Sequence, residues 1–166
     1  MSRVDLEHIV RTLAEHGVRF VVIGAYGALA RGSPFPTEDV DVTPEASSEN
    51  LDRLSTALRV LEAKIRTDAA PAGLPFDHDG ESLGAAAVWN LKTPYGDLDL
   101  SFAPAGTEGF EQLNRSGLDV DFDGVVVRVA SLEDIVRSKQ AANRDKDRRH
   151  LPVLRELLSN RDLDTN

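Results

Sequence analysis

Residues 23–42 read IGAYGALARGSPFPTEDVDV. The five residues ending at Ile23 (RFVVI, 19–23) are a β-branched and aromatic run of strand length. Gly24 ends that run and opens a short helix over residues 25–31 (AYGALAR). Two prolines in residues 32–37 (GSPFPT) require a loop. Residues 39–42 (DVDV) then alternate strictly, as a second strand with one buried face does. Strand, glycine, short helix, loop and strand follow one another within a few tens of residues, which points to an α/β (α+β) fold.

The flanks extend the same pattern. Upstream, Leu6, Ile9, Val10 and Leu13 keep helical spacing over residues 4–16, and Gly17 is a suitable stop. Downstream, Ser47 or Ser48 can cap a helix reaching about Leu61, with Leu51, Leu54, Leu58 and Leu61 on one face. Residues 63–66 are strand-like, and residues 67–84, with their prolines, glycines and aspartates, read as irregular. Residues 87–92 and 97–102 form strands around the turn Thr93-Pro94-Tyr95-Gly96. Leu118–Phe122 and Val125–Val129 flank Asp123-Gly124, the strongest hairpin signal in the chain. Ser131 caps a helix carrying Leu132, Ile135 and Val136, and a second helical signal covers residues 147–158. The order predicts a mixed β-sheet flanked by helices. One domain over residues 1–166 is expected, with a core at about 18–130 and closing helices at about 131–160.

Composition narrows the function. The chain has 166 residues, and 28 Asp+Glu against 19 Lys+Arg give a net charge of −9. That balance argues against a broad nucleic-acid-coating surface but not against a narrow polyanion site reached through a metal. The absence of cysteine excludes a disulfide scaffold, a thiolate zinc site and a cysteine nucleophile. It fits a reducing compartment, and a cytoplasmic location is expected. No apolar run approaches the ~20 residues of a membrane span, and the N-terminal segment lacks a signal-peptide apolar region. With aromatics at only 5%, the core must be mainly aliphatic. The four histidines show no metal-ligand spacing, and no phosphate-binding G-x-x-x-x-G-K-[ST] loop is present.

The chemistry converges on acids. Asp39 and Asp41 lie two apart on a strand and share a face. Such carboxylates repel each other, and a divalent cation removes that cost. Asp97 and Asp99 repeat the arrangement in another strand. Three carboxylates on a strand platform suit a two-metal clamp for in-line displacement at phosphorus. The strand–Gly24–helix junction exposes backbone N–H groups suited to phosphate. The run at residues 137–149 (RSKQAANRDKDRR) is strongly basic within an acidic chain, a positive wall able to face those carboxylates.

Residues 23–42 resemble the signature of the nucleotidyltransferase superfamily: a strand, a glycine turn, a short helix, then Thr-x-Asp-hydrophobic-Asp-hydrophobic. The spacing from Gly24 to Asp39 is closest to its minimal, AbiEii-like toxin branch. Residues 91–102 (LKTPYGDLDLSF) are similar to that branch's strand for the third carboxylate, and residues 130–154 to its closing helices. The likeness covers about residues 18–156. It implies Mg²⁺-dependent transfer of a nucleoside monophosphate from an NTP to an acceptor hydroxyl on RNA (such as a tRNA 3′ end), a protein or a small molecule. Asp39, Asp41 and Asp99 would be the catalytic, metal-holding acids, with Asp99 the base and Asp97 a supporting acid. Gly24, Ala25, Thr37 and Lys139 would serve the triphosphate, and Arg144 and Asp147 would bind phosphate or hold the closing helices. A toxin–antitoxin or phage-defence setting is implied, with a cognate antitoxin or a homodimer completing the site. Ala25 stands where the family often has a second Gly or a Ser, and Phe35 where an Arg is common, with Arg31 one turn earlier as a substitute. These departures motivate an alternative, an antitoxin-like binding or regulatory protein with weak catalysis, against which the three acids argue.

Overall fold

The structure, a computed structural model, describes residues 4–164. The chain runs α1 (Leu6–Glu15), β1 (Phe20–Ile23), α2 (Gly24–Ala30), β2 (Asp39–Pro44), α3 (Ser48–Val60), β3 (Lys64–Thr67) and β4 (Ala70–Leu74). It continues with α4 (Gly80–Gly84), β5 (Val88–Thr93), β6 (Gly96–Ser101), α5 (Phe110–Ser116), β7 (Leu118–Phe122), β8 (Val125–Val129), α6 (Leu132–Ala142) and α7 (Asp145–Asp164). The strands form one mixed sheet in the order β4-β3-β5-β6-β2-β1-β8-β7. This is the expected α/β class with a helix-flanked mixed sheet.

Local chemistry sets the elements. Asp5 caps α1 by accepting from the His8 N–H, and Gly17 follows it in the left-handed conformation at φ +73. Ser47 caps α3 and Ser131 caps α6, each accepting an N–H three residues on. Asp123 and Gly124 both take positive φ, as the tight turn between β7 and β8 requires.

Two hydrophobic cores lie on opposite faces of the sheet. The first joins α1 and α3 to Val22, Val40, Val42, Leu91, Leu98, Leu100, Val127 and Val129. The second joins α2, α5, α6 and α7 to Val21 and Ile23. β1 is therefore buried on both faces, which explains why FVVI carries no polar alternation. Over residues 39–42 of β2 and 97–100 of β6 the alternation is strict. Val40, Val42, Leu98 and Leu100 are 0–1% exposed. Their neighbours Asp39, Asp41, Asp97 and Asp99 must then project from the other face. On that face, at β5 and β3, Val88, Asn90 and Lys64 are open to solvent.

Two stretches differ from expectation. Residues 67–84 are not irregular throughout: β4 pairs with β3 as the edge strand, the place in a sheet where a proline such as Pro71 is tolerated. In the same stretch α4 is nucleated by a reciprocal Asp79–Ser82 capping box. α5 has no side-chain cap and buries only Phe110 and Leu113, too few positions for a legible period. Trp89 packs on Phe76 and donates its indole N–H to the Leu83 carbonyl at 2.9 Å, consistent with a core role.

Adjacent residues of β5 test the two-faced sheet. Leu91→Ala is expected to destabilise by about 2–5 kcal/mol through loss of buried apolar volume. The exposed neighbour Asn90→Ala should stay within about 0.5 kcal/mol of wild type. Urea unfolding of both variants measures the difference.

Candidate active site

β2 and β6 run parallel and in register, with Asp39 opposite Asp97 and Asp41 opposite Asp99. The sequence pattern alone puts each pair on one face; the pairing puts the two pairs side by side. One oxygen from each of Asp39, Asp41 and Asp99 lies within 4.8 Å of the others, close enough to ligate one metal ion. The site is cradled on one side by Gly24, which holds φ +69. A Cβ there would overlap Asp41 Oδ2 and come within 2.8 Å of its Cγ. A side chain at this turn would therefore push Asp41 out of the group. Thr37 donates its hydroxyl to Asp39 Oδ1 at 2.7 Å and so orients the first acid from the preceding loop.

Electrostatics describe a group prepared for a cation. Burial, then the Asp39 charge, then the Asp99 charge push the Asp41 carboxyl up to about 7. The ammonium of Lys146 and the guanidinium of Arg144 partly counter this. Burial also raises Asp99, opposed by the Arg66 guanidinium. Oxygen-only ligands of this kind suit Mg²⁺, which is held by few carboxylates together with substrate phosphates. The acids and the Gly24 cradle thus fit the metal that the sequence resemblance implies.

Beside the acids lies a cleft of about 510 Å³ lined by Ala25, Pro36, Thr37, Glu38, Asp39, Asp97, Lys146 and His150. That volume is within the ~300–1,000 Å³ range of small-molecule sites. His150 is stacked on Phe35 with ring centroids 3.9 Å apart. Burial and the Lys139 and Lys146 charges lower the pKa of its imidazole.

No family model matches the chain, and no curated protein matches its sequence. Solved structures do match. ANT(2")-Ia in complex with adenylyl-2"-tobramycin is 16% identical with a TM-score of 0.59, over 96% of this chain and 91% of that one. The lincosamide antibiotic adenylyltransferase LnuA, bound to lincomycin, is 15% identical with a TM-score of 0.61, over 95% and 99%. A candidate nucleotidyltransferase of Thermotoga maritima is 16% identical with a TM-score of 0.55, over 95% and 96%. The chain has the nucleotidyltransferase fold.

Within this fold the sequence-derived residues separate into two groups. Gly24, Ala25, Thr37, Asp39, Asp41 and Asp99 gather at the acids and the cleft. Lys139, Arg144 and Asp147 gather where α6 meets α7. The Asp147 side chain is fully buried and that of Lys139 is 4% exposed, with Nζ 3.5 Å from Asp147 Oδ1. Arg144 grips the same carboxylate through its backbone N–H at 3.1 Å and its Nε at 2.8 Å. Burial raises the Asp147 pKa, but the hydrogen bonds from Arg144 and the two cations outweigh it and leave the carboxyl below its ordinary value. The Asp147 carboxylate, and more weakly the charges of Asp41 and Asp39, raise the Arg144 pKa. Arg31 does not line the cleft; its backbone carbonyl accepts from Arg161.

The residues that sequence reasoning missed are Lys146, His150 and Arg66. Lys146 lay inside the basic run already singled out, without a feature to distinguish it from its neighbours. His150 had no ligand spacing. Arg66 reaches Asp99 at 2.9 Å from two strands away, which no local pattern shows.

Two measurements follow from this geometry. The Asp41 carboxyl sits at about 7 in the folded chain against 3.8 ordinarily, so the folded state retains a proton that the unfolded state releases. The stability this contributes is complete below about pH 4 and is lost as pH rises through about 7. Thermal unfolding of metal-free protein should fall less steeply between about pH 5 and about pH 8 in Asp41→Asn than in wild type. The variant should melt higher at the alkaline end, by roughly 2–4 °C for each kcal/mol regained. At the helix junction, Asp147→Ala strands a buried ammonium and is expected to cost about 3–5 kcal/mol in urea unfolding.

Proposed function

We propose that this chain transfers a nucleoside monophosphate from an NTP to an acceptor hydroxyl. The observation that carries the reading is the meeting of Asp39, Asp41 and Asp99 on one sheet face beside a polar cleft. Bound by those three residues, Mg²⁺ would supply charge neutralisation and polarisation at the α-phosphorus. The protein's own residues do the rest. Ala25 and Thr37 line the cleft beside the acids, and Gly24 keeps the turn free of a side chain. Lys146 and Arg144 set positive charge against the triphosphate, with Lys139 adding to it from behind Asp147. Asp99 takes the proton from the acceptor hydroxyl as its oxygen bonds to the α-phosphorus and pyrophosphate leaves. Positioning and charge compensation account for most of the acceleration in such reactions.

Two observations bear on the acceptor. ANT(2")-Ia and LnuA are by name an adenylyl-tobramycin complex and a lincosamide adenylyltransferase, which favours a small-molecule acceptor. The spacing from Gly24 to Asp39 and the residue 91–102 motif resemble the AbiEii-like toxin branch, which favours RNA or protein in a toxin–antitoxin setting. The test offers each of four α-labelled NTPs with Mg²⁺ to total RNA, to a protein extract and to aminoglycoside and lincosamide antibiotics. Label is expected in one acceptor class. Asp39→Ala should abolish the transfer, and Asp99→Asn should lower kcat about 10²–10⁴-fold as loss of a general base does. Absence of label from every acceptor, with no rise in melting temperature on adding Mg²⁺ and NTP, would reject the enzyme reading.

A further inference from the structure

Among the described residues lining the cleft, His150 carries the one aromatic ring. Its imidazole lies within 13° of parallel to the Phe35 ring, with the centroids 3.9 Å apart. Phe35 does not itself line the cleft, so it backs the imidazole rather than meeting a ligand there. The two residues come from distant parts of the chain, Phe35 from the loop between α2 and β2 and His150 from α7. Both are half-buried. Stacked on a second ring, the imidazole is held as a fixed flat surface. Burial, then the charges of Lys139, Lys146 and Arg149, lower its pKa, so near pH 7 it presents a neutral ring and not another cation. Lys146 and His150 lie four residues apart on α7 and both line the cleft. That spacing puts them on one helix face, about 6 Å apart along the axis.

We propose that His150, backed by Phe35, is the platform on which the base of the NTP stacks. The inference rests on the nucleotidyltransferase reading and names the residue through which the cleft tells a nucleotide from a bare triphosphate. A base needs a partner that is flat, uncharged and fixed. The other lining residues do not supply one: Glu38, Asp39, Asp97 and Lys146 are charged, and Ala25, Pro36 and Thr37 have no π face. His150 meets all three requirements. Its place one turn beyond Lys146 sets the ring away from the cation that faces the phosphates, a separation that a ribose bridges. Stacking of this kind accepts any base, because every base has a π face. Phe35, which stands where an Arg is common in the resembled signature, then has a use: the loop has exchanged a cation for a ring that supports a second ring.

Isothermal titration calorimetry in the presence of Mg²⁺ tests this without any measurement of turnover. Each of the four NTPs and inorganic tripolyphosphate is titrated into wild type, His150→Ala, His150→Leu and His150→Phe, and circular dichroism establishes that each variant is folded. Wild type should bind its tightest NTP more strongly than tripolyphosphate. His150→Ala and His150→Leu should bind that NTP about 5–150-fold more weakly, as loss of one stacked base contact does, and tripolyphosphate as wild type does. His150→Phe, which keeps a ring, should restore NTP affinity. Wild-type NTP affinity in His150→Ala overturns the proposal and leaves the nucleotidyltransferase reading standing. So does an equal loss of NTP and tripolyphosphate, since the ring then acts only by holding the loop of Pro36 and Thr37 against α7. Equal affinity of wild type for NTP and tripolyphosphate also overturns it. Should His150→Ala not fold, His150→Leu against His150→Phe decides in the same terms. Binding of neither NTP nor tripolyphosphate to wild type removes the nucleotide reading together with this inference.

Discussion

The pairing of β2 with β6 is the constraint on which the site depends. Val40, Val42, Leu98 and Leu100 bury against α1 and α3, and that burial fixes which way both strands face. A slip of one residue in either strand would move its acids into the aliphatic core and its valines or leucines into the cleft. The hydrophobic effect thus holds the carboxylates together against their own repulsion. The repulsion is not removed, only supported, and it adds to burial, the larger cause, in raising the pKa of Asp41. A group of acids kept close by packing elsewhere could hold a cation without rearranging.

Cations approach this acidic group from two directions. On the β3 side Arg66 crosses a strand to hold Asp97 and Asp99. On the helix side Arg144 and Lys146 sit at the start of α7, and their charges are felt at Asp41. The second set is positioned by Asp147, whose buried carboxylate accepts from Arg144 and pairs with Lys139 of α6. One fully buried acid therefore ties two helices together and sets where the positive wall stands. In a chain with a net charge of −9, this placement concentrates the basic residues where a triphosphate would need them.

Much of the architecture was legible from local chemistry. The caps Ser47 and Ser131 and the Asp123-Gly124 turn follow rules that need only near neighbours. So do the strands carrying DVDV and DLDL, because strand alternation is a two-residue property. α5 and β4 escaped, the first for want of enough buried positions, the second because an edge strand made of Ala, Pro and Gly is held by its neighbour rather than by its own propensity. Of the site, Asp39, Asp41, Asp99 and Gly24 were visible as motif positions, and the structure adds the overlap that bars any side chain at residue 24.

By itself the sequence determined the alternating strands, the caps, the glycine turn and the identity of the acids, since each depends on spacing within a few residues. Tertiary structure alone decided the rest. The parallel register set Asp41 beside Asp99, Arg66 was carried across β5 to the third acid, and Lys139 was turned onto Asp147 while Lys146 took the cleft. Those outcomes depend on which strands become neighbours and on which helix face is buried. Strand order and helix docking are set by burial summed over the whole chain, so no short stretch of residues contains them.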